Sequence, residues 1–339
     1  VDITKPDAPE FTGEVTVDEK GLGDTADTSE TVTWTAPDGY TVVGIESNGK
    51  LGTTEIVNGE VQYTLTSAIT HETVQGTNTA DNADSFTVTI KDAKGNTYPV
   101  KVNVDVVDDV PTISADKADL GEVKSGNIIS GKFDVDFGAD SANYQPDGNG
   151  NFDHITVNGV KPVLGQGESV EVGTLVFTLE QGTLYLAPNG SYSFEAKPDQ
   201  NITDFKLNVL ITDADGDTAG TTVTVDITKP DAPEFTGEVT VDEKGLGDTA
   251  DTSETVTWTA PDGYTVVGIE SNGKLGTTEI VNGEVQYTLT SAITHETVQG
   301  ANTADNADSF TVTIKDAQGN TYDVTVNVDV VDDVPTISA

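Results

Sequence analysis

The sequence contains no cysteine, no methionine and no arginine, and its 16 cationic residues are all lysines. Without cysteine the chain has no disulfide framework, no thiol chemistry and no Cys-ligated zinc site. The lysines are outnumbered by 58 Asp and Glu residues, which leaves a formal net charge of −42 at pH 7. Because such a negative field repels phosphate backbones, we expect no binding to nucleic acid.

Long apolar runs are also missing. No segment approaches the roughly 18 consecutive apolar residues that a membrane-spanning helix needs, and none has the pattern of a signal peptide. We therefore expect no membrane insertion. The length of 339 residues suits two or three domains of ordinary size. Because Val1 stands in a strand-like context, we expect the chain to be a fragment of a longer protein.

An internal duplication determines the predicted domain organisation. Residues 1–115 recur as 225–339, and the copies differ at Thr77 to Ala301, Lys94 to Gln318, Pro99 to Asp323 and Lys101 to Thr325. The stretch between the copies differs in sequence but also ends in two strands, a turn and an acidic linker that closes on proline. We predict domain A over 7–109, domain B over 110–229, a second domain A over 230–333, and parts of neighbouring domains at 1–6 and 334–339. The last of these, 334–339, is interpreted as the start of another domain B.

Alternating apolar and polar residues indicate β-strands. Phe86, Val88 and Ile90 alternate with polar residues, as expected for strands with one buried face. Asn-Gly pairs such as Asn58-Gly59 separate the strands and favour tight hairpin turns. We see no convincing amphipathic helix. The sequence therefore predicts an all-β protein of three tandem Ig/cadherin-like β-sandwich domains in an extended rod.

Two tryptophans occupy equivalent positions in the two A domains. Trp34 and Trp258 each follow a short Thr-Val-Thr segment. We predict that both are core aromatic residues, and the alternative is an exposed platform for a ligand.

Acidic residues are predicted to converge where domain A meets domain B. The final hairpin turn of domain B carries Asp213, Asp215 and Asp217, and the linker that enters this domain carries Asp108 and Asp109. Because the final strand leads into the next linker, its turn must lie at the opposite end, beside the entering linker. Five carboxylates would repel one another there, and Ca²⁺ prefers six to eight such oxygen ligands. We predict a Ca²⁺ site at this A-to-B junction; the alternative is an ordinary hairpin turn with solvated aspartates.

The B-to-A junctions offer fewer carboxylates, and a lysine lies close to each entering linker. The candidate ligands are Asp7, Asp92 and Asn96 in the first copy, and Asp231, Asp316 and Asn320 in the second. We therefore predict a weaker or absent metal site at these junctions.

Catalytic motifs are not evident. The three histidines are His71, His154 and His295, and there is no G-x-S-x-G, H-E-x-x-H or phosphate-binding loop. A glycosidase needs only two carboxylates, but these require a sheltered cleft that small tandem domains do not suggest. We expect that the chain is not an enzyme.

The repeat motifs resemble a known family. They comprise D-x-D-G-D-T at Asp213, Asp215, Gly216, Asp217 and Thr218, D-D-x-P-T at Asp108, Asp109, Pro111 and Thr112, and N-G-S-Y from Asn189 to Tyr192. These motifs resemble repeats of large RTX adhesins, the biofilm-associated surface proteins of Gram-negative bacteria. The resemblance implies type I secretion, Ca²⁺-dependent rigidity and a place on the bacterial cell surface. It also implies that the segment is an extender, which holds a distal adhesion domain away from the cell.

Three functional hypotheses follow. The first is an extender whose partners are the neighbouring repeats of the same chain, forming a monomeric rod. In the second, domain B binds a glycan or peptide through its long loop at 136–153, and the A domains are spacers. The third is a homotypic cell–cell contact, which would appear as calcium-dependent self-association.

Overall fold

The computed structural model describes residues 11–22, 27–71, 76–139, 154–166, 171–234, 236–247, 250–296 and 300–334. Within these ranges the regular structure consists of 24 β-strands and two 3-10 helices, η1 (Glu19–Gly21) and η2 (Glu243–Gly245). The predicted all-β class is therefore confirmed. The same ranges contain no helix that combines the length and the apolar composition needed to cross a bilayer.

The strands fall into three successive groups. The first is β1 (Thr12–Asp18), β2 (Thr31–Trp34), β3 (Tyr40–Ser47), β4 (Gly52–Val57), β5 (Glu60–Leu65), β6 (Thr79–Asp92) and β7 (Thr97–Val107). The second is β8 (Thr112–Ala115), β9 (Asp119–Lys124), β10 (Ile128–Asp136), β11 (Ile155–Val157), β12 (Val163–Leu164), β13 (Leu175–Thr178), β14 (Gly182–Leu186), β15 (Ser191–Ala196), β16 (Ile202–Thr212) and β17 (Thr218–Thr228). The third is β18 (Gly237–Asp242), β19 (Thr255–Trp258), β20 (Thr265–Ser271), β21 (Gly276–Val281), β22 (Glu284–Leu289), β23 (Thr303–Lys315) and β24 (Thr321–Val331).

Each group forms two sheets. The first group has a four-stranded sheet, β1-β7-β6-β3, and a three-stranded sheet, β2-β5-β4, and the third group repeats this order as β18-β24-β23-β20 and β19-β22-β21. The second group forms a six-stranded sheet, β12-β13-β14-β15-β10-β8, and a four-stranded sheet, β11-β16-β17-β9. These paired sheets are tandem β-sandwiches, as the alternating pattern predicts.

The chain divides into two compact units. Unit 1 comprises Val1–Leu120, Ser130–Ser193 and Lys206–Thr224, and unit 2 comprises Gly121–Ile129, Phe194–Phe205 and Val225–Ala339. The division passes through strands of the second group, since β9, β10, β15, β16 and β17 have residues in both units. The predicted domain boundaries at 7–109, 110–229 and 230–333 therefore stay a prediction.

The first sandwich encloses a continuous apolar core. The side chains of Phe86, Val88 and Ile90 are fully buried, as the alternation in β6 predicts. The rings of Tyr63 and Phe86 stack with centroids 5.7 Å apart. Trp34 belongs to the same core and is only 8% exposed, so it is a core aromatic residue, as predicted.

In the first sandwich, one strand pair departs from the antiparallel pattern. Strand β1 pairs with β7 in parallel, with Asp18 opposite Val107. The chain positions that follow this last pair are Glu19 and Asp108, so the parallel register brings two acidic residues to the same end of the sheet. The second copy of domain A repeats the pairing between β18 and β24.

Candidate metal centre

Three of the predicted metal ligands lie together in unit 1. Asp108 follows β7, while Asp215 and Asp217 lie on the turn between β16 and β17. One carboxylate oxygen of each residue lies within 4.8 Å of the other two. The three residues are 1%, 6% and 3% exposed, so this turn is not a solvated hairpin tip.

Asp213 closes the turn that carries Asp215 and Asp217. The Oδ1 atom of Asp213 accepts hydrogen bonds from the backbone N–H groups of Gly216 at 3.0 Å and Asp217 at 2.7 Å. Among the described residues, Oδ2 of Asp213 and both carboxylate oxygens of Asp215 are buried without a hydrogen-bond partner. Burial raises the pKa of Asp213 to about 7, and the neighbouring carboxyl group of Asp215 adds to this shift. The turn therefore favours either a bound proton or a bound cation.

The segment before β6 positions the other two carboxylates. The backbone N–H of Gly76 donates to Oδ1 and Oδ2 of Asp217, at 3.1 and 3.2 Å. The backbone carbonyl of Asn78 accepts a hydrogen bond from the backbone N–H of Asp108 at 2.9 Å. The Asn78 side chain donates through Nδ2 to Oδ2 of Asp108 at 3.1 Å. Residues from three separate parts of the sequence thus meet around one acidic centre.

Asp109 takes a different position from Asp108. Its Oδ2 atom accepts a hydrogen bond from the backbone N–H of Ala139 at 3.0 Å. Burial raises the pKa of Asp109, and the hydrogen bond from Ala139 offsets this only in part. Asp109 does not belong to the group of three carboxylates, and its predicted role as a ligand stays a prediction. The rest of the predicted loop at 136–153, from residue 140, lies outside the described residues.

Sequence reasoning missed two residues at this centre, Glu19 and His71. Together with Asp108 they form a second group whose ligand atoms lie within 4.8 Å of one another. Oε1 of Glu19 accepts a hydrogen bond from the backbone N–H of Ile69 at 2.7 Å. Glu19 reaches the centre through the parallel pairing of β1 with β7, which alternation along a strand does not reveal. An equivalent group in unit 2 consists of Glu243, His295 and Asp332.

The candidate ligands of the first B-to-A junction are engaged within their own turn. Oδ1 of Asp92 accepts from the backbone N–H groups of Lys94 at 2.9 Å and Asn96 at 2.8 Å. Oδ2 of Asp92 accepts from Nδ2 of Asn96 at 2.9 Å, and this bond is the main reason why the pKa of Asp92 is lowered. Asp7, the third candidate, lies outside the described residues.

The second set of B-to-A candidates lies in unit 2. Asn320 is fully buried, and its Oδ1 atom accepts hydrogen bonds from the Ser125 hydroxyl at 2.6 Å and the Asp199 backbone N–H at 3.0 Å. Its Nδ2 atom donates to Oδ2 of Asp316 at 3.1 Å. Asp231 is exposed, and in the described part of the chain neither Asp231 nor Asp316 belongs to a group of histidine and carboxylate ligands that could hold a metal. The predicted weaker or absent site at this junction stays a prediction.

No family model and no curated protein matches the chain. Solved structures that the comparison matched to this chain include protocadherin gamma B2 cadherin domains 3–6, with 14% identity, a TM-score of 0.27, and coverage of 96% of this chain and 72% of that one. The human desmocollin-1 ectodomain has 13% identity, a TM-score of 0.24, and coverage of 97% and 59%. A variant of titin domains I67–I69 has 10% identity, a TM-score of 0.25, and coverage of 96% and 97%. TM-scores this low do not support the transfer of a function, and the sandwich architecture rests on the strand pairing described above.

Proposed function

We propose that the chain is a non-catalytic extender segment of a bacterial cell-surface adhesin, stiffened by Ca²⁺ bound at Asp108, Asp215 and Asp217. The observation that supports this proposal is Asp215, which is only 6% exposed although neither carboxylate oxygen has a hydrogen-bond partner among the described residues. Burial of an unpaired carboxylate costs several kcal/mol. A cation bound there would remove this penalty.

The donor set favours a hard cation. Asp108, Asp215 and Asp217 offer only carboxylate oxygens, and Ca²⁺ is bound in proteins by six to eight oxygen ligands. Oδ2 of Asp213 is buried close by and adds to the acceptor oxygens. Backbone carbonyls and water can complete such a coordination shell.

The mechanical role follows from where these ligands lie in the sequence. Asp108 is part of the linker after β7, whereas Asp215 and Asp217 belong to the last hairpin of the predicted domain B. A cation that binds all three would restrain the linker against this hairpin. A series of such junctions would hold tandem sandwiches in an extended arrangement, as an extender requires.

We also infer that the segment is extracellular and that it is exported by a type I system. The absence of cysteine removes disulfides as a source of rigidity, and extracellular Ca²⁺ can supply it at dissociation constants of about 10⁻⁴ to 10⁻³ M. The D-x-D-G-D-T motif from Asp213 to Thr218 and its likeness to RTX adhesin repeats support export by a type I system. The neighbouring repeats are then the partners of this segment, and a distal domain carries the adhesive function.

Calorimetric titration of the metal-free chain with Ca²⁺ tests the binding step. We expect saturable binding in the wild type and a loss of at least one site in Asp215→Asn. Asp38→Asn is the matched control, because Asp38 is exposed and lies on the turn between β2 and β3. Small-angle scattering with and without Ca²⁺ tests the mechanical step, with a longer maximum dimension expected in Ca²⁺. Wild-type protein that binds no Ca²⁺ or scatters identically in chelator would contradict the proposal.

A further inference from the structure

Each copy of domain A contains a cluster that includes a nitrogen ligand. In unit 1, Glu19, His71 and Asp108 each offer one ligand atom, and these atoms lie within 4.8 Å of one another. In unit 2 the equivalent cluster is formed by Glu243, His295 and Asp332. The presence of histidine separates both clusters from the oxygen-only group that suits Ca²⁺.

His71 is a buried histidine whose ring nitrogens make no hydrogen bond to the described residues. Its side chain is fully buried. Its Nε2 atom lies 3.4 Å from Oε2 of Glu19, close enough for an ionic contact but without the geometry of a hydrogen bond. The hydrogen bond from Ile69 to Oε1 holds this carboxylate in place. A cation bound between the buried imidazole and this fixed carboxylate would join the two groups.

The second copy identifies which ring nitrogen carries the lone pair. Nδ2 of Asn302 donates to Oδ2 of Asp332 at 3.3 Å, which leaves Oδ1 of Asn302 facing Nδ1 of His295 at 3.1 Å. Nδ1 must therefore donate its proton to Asn302, and in the neutral ring Nε2 presents its lone pair to Oε2 of Glu243 at 3.4 Å. Histidines that bind metals commonly donate the other ring N–H to an acceptor in this manner.

We propose that Glu19, His71 and Asp108 bind a divalent transition cation of the Zn²⁺ type, and that Glu243, His295 and Asp332 form the same site in the second copy. In a tetrahedral Zn²⁺ site with bonds of about 2.0–2.1 Å, neighbouring ligand atoms are about 3.3 Å apart. The distance of 3.4 Å between Nε2 and Oε2 in both copies fits this separation. Imidazole with carboxylate ligands suits Zn²⁺, whereas Ca²⁺ selects oxygen ligands.

The two kinds of site share Asp108 in unit 1, and the second copy of domain A separates them. Asp108 belongs to both groups in unit 1, while in the described residues of unit 2 Asp332 belongs only to the histidine cluster. The second copy can therefore report on the histidine site alone. This proposal does not depend on Ca²⁺ binding. A chain that binds Zn²⁺ at these histidines but no Ca²⁺ would contradict the proposed function and support the present inference.

Titration of the metal-free full chain with Zn²⁺ and with Co²⁺ tests the proposal. Calorimetry should show about two Zn²⁺ per chain, and Co²⁺ should give the visible absorption of a low-symmetry site with four ligands. His71→Gln and His295→Gln should each reduce the stoichiometry to about one, and the double variant should bind none. His154→Gln is the matched control, because His154 lies outside both clusters.

A second measurement covers the case in which a buried His variant fails to fold. In wild-type protein with ¹⁵N-labelled histidine, Zn²⁺ should shift the Nε2 resonances of two imidazoles and leave the third unchanged. Two results would overturn the proposal. One is the absence of saturable Zn²⁺ binding by the wild type, which would identify the clusters as imidazolium–carboxylate pairs. The other is undiminished binding by the folded double variant.

Discussion

Asn320 and Ser125 are joined by two hydrogen bonds in unit 2. Oδ1 of Asn320 accepts from the Ser125 hydroxyl at 2.6 Å, and Nδ2 donates to the Ser125 carbonyl at 3.1 Å. Both residues are fully buried. The next residue, Thr321, donates its backbone N–H and its hydroxyl to Asp199 at 2.8 and 2.9 Å, and Asp199 also pairs with Lys229 at 2.8 Å. Direct hydrogen bonds thus connect Ser125 and Asp199 to the turn at Asn320. Around Asp108, by contrast, the neighbouring groups are buried carboxylates.

We predict that Asn320→Ala lowers the free energy of unfolding by about 1–3 kcal/mol, because it leaves the buried Ser125 hydroxyl without its acceptor. The loss should be the same in Ca²⁺ and in chelator. Urea unfolding under both conditions measures it. Asn96→Ala is the matched control, since Asn96 occupies the same turn in the first copy and bonds to Asp92. Equal losses in the two variants, or a loss that depends on Ca²⁺, would contradict the prediction.

Gly13 is predicted to be essential for the packing of Trp34. A Cβ atom at position 13 would lie 2.5 Å from Nε1 of Trp34 and 2.9 Å from Cγ2 of Val102, and Gly237 approaches Trp258 equally closely. Gly13→Ala should therefore destabilise the protein by about 1–3 kcal/mol, as overpacking of a core does. Thermal unfolding checks this value. Gly44→Ala should be close to neutral, because a Cβ atom there meets nothing within 4 Å.

The fold could be predicted because the alternation of apolar and polar residues is a local feature of the sequence. Phe86, Val88 and Ile90 alternate with polar neighbours, and burial of one face follows from that period of two. The grouping of Asp108 with Asp215 could also be predicted from the sequence. The final strand of domain B leads out of the domain at one end, so the turn before that strand lies at the other end, beside the entering linker that carries Asp108. This inference needs only the order of the strands.

The rest of the centre depends on features that the sequence pattern does not carry. Neighbouring residues of an extended chain point to opposite sides, which explains why Asp108 joins the group of carboxylates while Asp109 bonds to Ala139. Glu19 joins Asp108 only because β1 pairs in parallel with β7. His71 arrives from a connection after β5, where no periodic pattern fixes its position.

Asp84 provides a pH-dependent contribution to stability. Burial raises the pKa of Asp84, but hydrogen bonds from the backbone N–H groups of Lys50, Leu51 and Ser85 and from the Tyr63 hydroxyl outweigh this effect. The folded-state pKa of Asp84 is therefore below its ordinary value. A carboxyl group of this kind stabilises the fold above its unfolded pKa of about 3.9, and the contribution is lost as the pH falls through the folded pKa.

We predict that Asp84→Asn lowers the free energy of unfolding at neutral pH, and that the difference from wild type shrinks below about pH 4. At low pH the wild-type carboxyl is protonated and resembles the amide. Urea unfolding over a pH series measures the difference, with Asp38→Asn as the control for an exposed carboxylate. A difference that is constant down to pH 2 would argue against the assignment. Asp308, which has the same partners in the second copy, should behave in the same way.

We predict that the effect of Asp215→Asn on the free energy of unfolding changes sign when Ca²⁺ is added. In chelator, the amide removes a buried negative charge that lies near Asp108 and Asp217 and whose oxygens have no hydrogen-bond partner in the described residues. The variant should then be more stable than the wild type, because like charges no longer repel one another. In Ca²⁺ at about 100 times its dissociation constant, the wild type should gain about 2.7 kcal/mol from binding. The variant should gain less, since it lacks one charged ligand, so the order of stability reverses.

Thermal or urea unfolding of the wild type, Asp215→Asn and the exposed-site control Asp38→Asn, each in chelator and in Ca²⁺, measures this reversal. The control should follow the wild type in both conditions. If Asp215→Asn is the less stable protein in chelator, the carboxylate is stabilised by the fold itself and not by a cation. If the variant gains as much from Ca²⁺ as the wild type, the ion binds elsewhere. Only the reversal identifies Asp215 as a residue whose burial is unfavourable until a cation neutralises it.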